Sequence, residues 1–242
     1  MRWIYLSPHF DDAVLSCGGL MWEQRRRGEE VAIWTIFAAP PMAPLSPLAQ
    51  ATHALWGFGP AENAPAIRRA EDDRAARRLR VHVRRFPFLD CIYRRSPDGD
   101  PLYPHSVFVP PHPQDADLPR RIAARLSRFL LPQDCLVSPL GLGGHVDHLL
   151  TRRAAESLPW ARRYYADFPY VMYDSPALLA AIADLTSEYF PISEHGLRVW
   201  WRGVAAYASQ LTSLWKGEGT LQQALHSYWA RERGILLWRE AV

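Results

Sequence analysis

Short apolar runs alternate along the chain with longer amphipathic stretches, which is the pattern of strands alternating with helices. Residues 2–6, 31–37 and 134–138 are continuous apolar runs, typical of buried strands in a parallel sheet. Between the first two runs, apolar residues recur at helical spacing from Ala13 until Gly28 stops the pattern. The opening of the chain therefore predicts a strand–helix–strand unit.

The rest of the chain continues this alternation. Further helices are predicted at 65–80 and 117–131 and from about 145 to 157, and further strands at 81–86 and 163–168. The proline-rich stretch 39–48 and the polar stretch 96–114 are predicted to be irregular loops, and a long loop in a compact domain is often functional. From about residue 192 the chain is predicted to be helical and rich in tryptophan.

No repeat and no linker divides the sequence, so we expect a single domain over residues 1–242. The strand–helix alternation predicts an α/β fold, with an open, mainly parallel, twisted Rossmann-like sheet flanked by helices. The composition agrees with a globular protein, since 48% of the residues are apolar and 22% are charged. Disordered and fibrous proteins are thereby excluded.

Charge and cysteine content exclude several further classes. The net charge is +3, and the arginines occur as scattered pairs without a basic stripe, so no nucleic-acid partner is expected. Cys17, Cys91 and Cys135 lie far apart, which excludes a disulfide framework and a thiolate zinc site. The longest apolar stretch, 31–39, is too short to cross a bilayer, and the first residues lack a signal-peptide core. We expect a cytoplasmic protein without membrane insertion, whose aromatic C-terminal part allows self-association.

Two polar clusters directly follow predicted strands. His9, Asp11 and Asp12 come after the first strand, and a second cluster after strand 134–138 contains His145, Asp147 and His148. The active sites of parallel α/β sheets lie at the carboxyl ends of the strands, so the two clusters are expected to meet.

The residue types in the two clusters favour a metal centre. Catalytic zinc takes three protein ligands plus water, and a set of two histidines and one carboxylate fits these segments. A carboxylate that does not bind the metal, such as Asp11, is what a metal-assisted hydrolase needs as a general base. Alternatively, Asp12 only caps the following helix and each histidine is structural. Spacing does not choose between His145 and His148 as the ligand.

The motifs themselves carry a family resemblance. The segment SPHFDD (7–12) resembles the PHPDD motif of the LmbE/PIG-L family of N-acetylglucosaminyl deacetylases, and HVDH (145–148) resembles the HPDH motif of that family. The wider stretches SPHFDDAVLSCGG, YYADFPY and AYASQ are similar to a branch that begins with SPH. The resemblance implies an open α/β fold and a divalent metal, usually zinc.

Matched position by position, the resemblance also implies roles. Asp11 corresponds to the general base, His145 to the histidine that polarises the amide carbonyl or acts as acid, and Asp147 to the aspartate that orients this histidine. The metal ligands of the family correspond to His9, Asp12 and His148.

Two further residues correspond to substrate-binding positions, and two positions depart from the family pattern. Arg68 and Asp90 match substrate contacts, although Arg68 alternatively forms a solvated ion pair with Glu71, and Asp90 is alternatively a turn residue. Phe10 replaces the usual proline, and Gly143 stands where some relatives place a tyrosine that assists catalysis. The candidates to replace that tyrosine are Tyr164, Tyr165, Tyr170 and Tyr173.

The implied activity is metal-dependent hydrolysis of the N-acetyl group of an N-acetylglucosamine-containing conjugate, giving acetate and a free amine. The implied cofactor is Zn²⁺ or another divalent metal, and the partner is a small amino-sugar conjugate. One alternative is an amidohydrolase for a different acylated amine or an amino-sugar natural product. A second is a non-catalytic sugar-binding or partner-binding domain. A nucleotide-binding protein is disfavoured because Gly141–Gly144 lacks the spacing of a dinucleotide fingerprint.

Overall fold

One continuous sheet organises the computed structural model, which describes residues 1–59, 62–173, 175–215 and 217–241. Within these residues the sheet has seven strands in the order β3-β2-β1-β4-β5-β7-β6. All neighbours from β3 to β5 are parallel, and β7 is antiparallel to both β5 and β6. The strands are Arg2–Ser7 (β1), Glu30–Thr35 (β2), His82–Arg85 (β3), Asp134–Pro139 (β4), Ala161–Tyr165 (β5), Leu185–Pro191 (β6) and Gly234–Glu240 (β7).

Helices cover both faces of this sheet. The described helices are Asp12–Arg26 (α1), Pro47–Leu55 (α2), Ala64–Leu79 (α3), Leu118–Leu126 (α4), Val146–Glu156 (α5), Ser175–Ala181 (α6), Glu194–Val204 (α7), Leu211–Leu214 (α8) and Leu221–Glu232 (α9). On one side α7 packs against α1, α3 and α9, and on the other α4 packs against α5. None of the described helices is long and apolar enough to span a membrane.

The alternation of side chains along β1 supplies both layers of the core. Trp3 and Tyr5 enter one cluster of buried side chains, and Ile4 and Leu6 enter the other on the opposite face. All four are at most 4% exposed. Each large apolar side chain buried in this way contributes about 1.5–3 kcal/mol, so β1 anchors both helical layers to the centre of the sheet.

Two glycines bring α1 into close contact with α7. A Cβ atom added at Gly18 would lie 2.6 Å from Cδ1 of Trp200, and one added at Gly19 would lie 2.7 Å from Cε3 of the same ring. The indole Nε1 of Trp200 donates to the carbonyl of Val14 at 2.7 Å. The glycines, which weaken a helix in isolation, therefore make room for a fully buried tryptophan.

The C-terminal prediction is only partly correct. Residues from 194 to 232 contain α7, α8 and α9, but the chain then forms β7 instead of continuing as helix. The apolar run of β7 is too short for periodicity to separate a strand from a buried helical turn. In addition, α2 begins at the end of the proline-rich stretch, where no helix was predicted. Its first turn is capped by Ser46, whose side chain accepts the backbone N–H of Ala49.

Most of the C-terminal tryptophans are part of the core. Trp200, Trp229 and Trp238 are at most 4% exposed, and Trp201 and Trp215 are partly buried against the same cluster. The aromatic tail is therefore explained by packing within the chain. It does not by itself indicate a binding surface.

The sheet topology positions the two polar clusters. The strand order changes direction between β1 and β4, which are adjacent and parallel. The loops that follow these two strands therefore leave the same edge on opposite sides, where ligands bind in open α/β sheets. The first loop carries residues 8–11 and the second carries residues 140–145.

Candidate metal and catalytic site

Three histidine rings meet where the two loops converge. The ring centroid of His9 lies 4.8 Å from that of His145 and 5.6 Å from that of His148, and the last two lie 5.1 Å apart. The structure therefore brings together the two clusters that the sequence separates by more than a hundred residues.

Asp12 lies between two of these rings. Its Oδ2 accepts the backbone N–H of His9 at 2.6 Å and lies 3.1 Å from Nδ1 of the His9 ring, while its Oδ1 lies 3.3 Å from Nε2 of His148. Helix α1 begins at Asp12 itself, and the preceding residue occupies the N-cap position. The alternative that Asp12 only caps α1 is therefore wrong, because its carboxylate points back to the histidines.

A buried carboxylate that follows β5 holds His148. Oδ1 of Asp167 lies 2.6 Å from Nδ1 of His148, and its Oδ2 accepts the backbone N–H groups of Gly141 and Leu142 at 2.8 and 3.0 Å. Asp167 thus fixes both the ring and the turn before α5. Nε2 of His148 remains directed towards Asp12.

His145 is oriented differently from His148. It is the N-cap of α5, and its Nδ1 accepts the backbone N–H of Asp147 at 3.2 Å. A nitrogen that accepts a hydrogen bond carries no proton, so in the neutral ring the proton lies on Nε2. Burial, together with the positive charges of His9 and His148, lowers the pKa of His145 well below its ordinary value of 6.5. The ring is therefore a neutral donor at the cavity.

Asp147 contacts His9 and a buried arginine. Its Oδ2 lies 3.1 Å from Nε2 of His9 and accepts the backbone N–H of Cys91 at 2.9 Å, and its Oδ1 lies 2.7 Å from Nη1 of Arg94. Burial opposes the charged form, but the charges of Arg94 and His9 lower the pKa of Asp147 below its usual range. In the structure this carboxylate faces His9, and the hydrogen bond from Asp147 to the ring of His145 comes from its backbone N–H.

The arrangement fits a divalent metal held by His9, Asp12 and His148. Two ligand atoms that each lie about 2.0–2.1 Å from a tetrahedral zinc are about 3.3 Å apart. In this structure Nδ1 of His9 lies 3.1 Å from Oδ2 of Asp12, and Nε2 of His148 lies 3.3 Å from Oδ1 of Asp12. The second nitrogen of each histidine faces a carboxylate, the usual support of a metal-binding imidazole. Burial opposes a charged ring, but Asp12 and Asp167 raise the pKa of His148 to about 10, so the site favours positive charge.

Other close groups of potential ligands are less suitable. Asp147 forms such groups with His9 and His145, and with Asp90 and Cys91. However, Asp147 and Cys91 do not line the cavity, and the Asp147 carboxylate already faces Arg94. Among the described residues, the cluster of His9, Asp12 and His148 is the one whose members all line the cavity.

Asp11 lies beside the candidate metal cluster and is not one of its members. Its Oδ1 lies 3.3 Å from Nη2 of Arg68, and the side chains of both residues are almost fully buried. Burial raises the pKa of Asp11, and the charge of Arg68 limits the increase. The guanidinium of Arg68 also lies over the ring of Trp56, at 4.3 Å from its centroid. The alternative of a solvated Arg68–Glu71 pair is wrong, since Glu71 is buried and accepts the backbone N–H of Ser209 at 2.8 Å.

These side chains form the inner end of a cavity of about 510 Å³. His9, Asp11, Asp12, Arg68, Asp90, His145 and His148 all line it. Asp90 accepts the backbone N–H of Ile92 at 3.1 Å through Oδ1, and its Oδ2 lies 3.7 Å from Nε2 of His9. Asp90 is thus both a turn residue and a wall of the cavity.

Tyr170 occupies the space beside Gly143. A Cβ atom added at Gly143 would lie 2.5–2.9 Å from three atoms of the Tyr170 ring. This ring also meets His148 edge-on, with the centroids 6.1 Å apart. Of the four candidate tyrosines, Tyr164 and Tyr165 are buried in the core, whereas Tyr170 and Tyr173 line the cavity.

The AYASQ segment holds the first loop from behind. The hydroxyl of Tyr207 donates to the carbonyl of Phe10 at 2.9 Å and lies 3.0 Å from Oδ1 of Asp72. Phe10 is buried beneath the guanidinium of Arg68, 5.6 Å from its ring centroid. The replacement of proline by Phe10 therefore adds a packing contact under the site.

Sequence reasoning missed Asp167 and Arg94, two charged residues on which the site depends. Asp167 lies in the YYADFPY stretch just after a strand, and this position was the signal that could have identified it. No comparable sequence signal marks Arg94. Its guanidinium pairs with Asp115 at 2.9 Å and with Asp147, which lie on segments distant in the sequence.

Comparisons with known proteins agree with this geometry. A protein-family model described as PIG-L, GlcNAc-PI de-N-acetylase, matches residues 4–159, which include both motifs. The 2′-N-acetylparomamine deacetylase of Niallia circulans is 29% identical over 265 residues, covering 98% of this chain and 93% of that protein.

Two solved structures are similar over almost the whole chain. The zinc-inhibited form of teicoplanin deacetylase Orf2 superposes with a TM-score of 0.83 at 28% identity, covering 98% of this chain and 97% of that one. The A40926 pseudoaglycone deacetylase Dbv21 superposes with a TM-score of 0.76 at 27% identity, covering 100% and 98%. The similarity therefore extends beyond the range of the family model to the C-terminal helices and β7.

Proposed function

Since the chain belongs to the PIG-L family of de-N-acetylases, we propose that it hydrolyses the N-acetyl group of an N-acetylglucosamine-containing conjugate to acetate and a free amine. The observation that carries this proposal is the inner end of the cavity, where a three-ligand metal cluster lies beside a separate buried carboxylate, Asp11. The names of its relatives give 2′-N-acetylparomamine, teicoplanin and the A40926 pseudoaglycone as the compounds that they deacetylate. These names support an amino-sugar conjugate as the substrate.

We propose His9, Asp12 and His148 as the ligands of the divalent cation, with Zn²⁺ as the first candidate. When bound there, the cation supplies Lewis-acid chemistry, polarising the carbonyl and lowering the pKa of water. Asp147 and Asp167 keep the two imidazoles in the orientation that directs His9 Nδ1 and His148 Nε2 to Asp12.

Asp11 is the general base of the proposed reaction. It removes a proton from the water that attacks the acetamide carbon, and Arg68 holds its carboxylate at the cavity. His145, with its proton on Nε2, donates to the oxyanion that develops on the former carbonyl oxygen. One such donor is worth on the order of 3 kcal/mol in the transition state. The proton on Asp11 then passes to the leaving amine.

Arg68 and Asp90 are the proposed contacts to the sugar. Both line the cavity, and within the described residues Nη2 of Arg68 donates only to Asp11. The remaining Nη donors of Arg68 and Oδ2 of Asp90 are suited to neighbouring sugar hydroxyls.

Amine release from N-acetylglucosamine conjugates tests this function. Wild type, Asp11→Asn and Asp12→Asn are compared after zinc loading, with bound metal measured in each. We expect Asp11→Asn to keep the metal and to lose about 10²–10⁴-fold in kcat, because only the proton acceptor is removed. Asp12→Asn is expected to lose both the metal and the activity. Undiminished turnover by Asp11→Asn would refute the role of the base.

A further inference from the structure

The outer part of the cavity carries large apolar side chains that are exposed to solvent. Leu55 is 64% exposed and Phe108 is 53% exposed, and both line the cavity. They come from separate segments, the end of α2 and the loop between β3 and α4. Clustered apolar residues on a surface mark a binding site, because leaving them in water is unfavourable.

The wall between these two residues is mostly apolar, and its polar lining residues are Thr52, His105, Ser106, Gln210 and Ser213. Side chains from four segments complete it: Leu48, Trp56, Val107, Tyr170, Tyr173 and Leu214. Among the described lining residues the carboxylates are Asp11, Asp12 and Asp90, and all three lie at the inner end with His9. The described outer wall therefore offers no carboxylate to a cationic group.

The aromatic rings of this wall are supported by contacts with neighbouring rings. Phe108 meets His145 edge-on, with the centroids 5.5 Å apart, and meets Tyr170 at 6.1 Å. The loop that carries Phe108 is joined to α5 by a backbone hydrogen bond of 2.9 Å from Val146 to Val107. Tyr173 stacks on Trp215 with the centroids 5.1 Å apart. Rings fixed before binding lose little entropy on contact with a second ring system.

We propose that this outer wall is a subsite for an aromatic aglycone attached to the amino sugar. The proposal rests on the deacetylase function and specifies which conjugate it serves. The sugar occupies the polar inner end, and the aglycone packs between Leu55 and Phe108. A polycationic aminoglycoside aglycone is disfavoured, because the described part of this wall would desolvate its ammonium groups without offering an opposite charge.

The test compares conjugates that differ only outside the sugar. The compounds are the methyl, n-hexyl and phenyl β-glycosides of N-acetylglucosamine, together with 2′-N-acetylparomamine. We expect the phenyl glycoside to exceed the methyl glycoside in kcat/KM by about 10–100-fold, the range for burying one aromatic side chain. The phenyl glycoside is also expected to exceed the n-hexyl glycoside and 2′-N-acetylparomamine.

Three variants locate the effect. Leu55→Ser and Phe108→Ser are expected to lower the phenyl-to-methyl ratio of kcat/KM severalfold. Leu179→Ser is the matched control, because Leu179 is 67% exposed and does not line the cavity. It is expected to leave the ratio unchanged. A ratio near one in wild type, a preference for the n-hexyl glycoside or 2′-N-acetylparomamine, or an equal response of all three variants would overturn the aromatic subsite.

A binding measurement separates this proposal from the deacetylase function. Calorimetric titration with phenyl and methyl glucosaminide, the corresponding amine products, requires no turnover. About tenfold tighter binding of the phenyl compound supports the subsite even if no acetyl group is released, whereas equal affinities overturn it. Absence of turnover on every conjugate would instead count against the proposed function.

Discussion

The turn that carries His145 allows a sharp comparison between neighbouring glycines. Gly143 and Gly144 both have a positive φ, of 80° and 71°. An alanine in this region costs about 1–2 kcal/mol at either position. Only Gly143 has a close neighbour, since its Cβ would lie 2.5 Å from the Tyr170 ring, whereas nothing lies within 4 Å of a Cβ at Gly144. Gly144→Ala therefore measures only the free-energy cost of placing alanine at a positive φ.

We expect Gly143→Ala to lose a further 1–3 kcal/mol, roughly the cost of overpacking, because the Tyr170 ring must move. For a chain of this length, that difference is about 2–12 °C in Tm. Thermal and urea unfolding of the two variants provide the comparison. In a Tyr170→Ala background the excess should disappear, leaving the two alanine variants equally destabilised. An excess that persists without the ring would refute the packing explanation, as would equal losses in the single variants.

Three other substitutions, one with a matched control, address charges and packing away from the reacting atoms. Asp167→Asn is expected to weaken zinc binding by about 10–100-fold in competitive titration, and unchanged affinity would contradict its support of the metal ligand. Arg94→Met should destabilise the fold by about 3–5 kcal/mol in urea, because it leaves the buried carboxylates of Asp147 and Asp115 without their shared arginine. Arg120→Met, which removes an exposed pair, should change stability by at most about 1 kcal/mol, and similar losses in both variants would contradict the argument from burial. Trp200→Ala should cost about 3–5 kcal/mol in the same assay, and a loss below 1 kcal/mol would show that the contact with α1 relaxes freely.

The sequence was sufficient to predict the centre of the molecule. The buried runs of β1, β2 and β4 have the continuous apolar character of parallel strands, and the α/β fold with a mainly parallel sheet is confirmed. The family resemblance, based on segments 7–12 and 145–148, is confirmed as well. Both results depend on local patterns, which a single sequence displays directly.

Contacts between segments that are distant in the sequence could not be predicted from such patterns. The motif spacing identifies Asp147, but its carboxylate contacts His9 because Arg94 and the backbone of Cys91 approach it from another segment. The orientation of the His148 ring likewise depends on Asp167, which no spacing rule relates to the second motif. The reversed strand β7 was missed for a related reason, since its apolar run becomes a strand only by pairing with β5 and β6.

The close contact of Gly18 and Gly19 with Trp200 also affects the order in which the enzyme folds during synthesis. A chain emerging from the ribosome carries His9, Asp12 and His148, the proposed metal ligands, before it carries Trp200. Until that ring arrives, α1, whose first residue is Asp12, lacks its principal partner on one face. The centre formed by the earliest and middle segments is therefore completed only by a late one. Deacetylation should consequently begin only after Trp200 has been synthesised, and nascent fragments that stop before it should remain inactive even with all motif residues present.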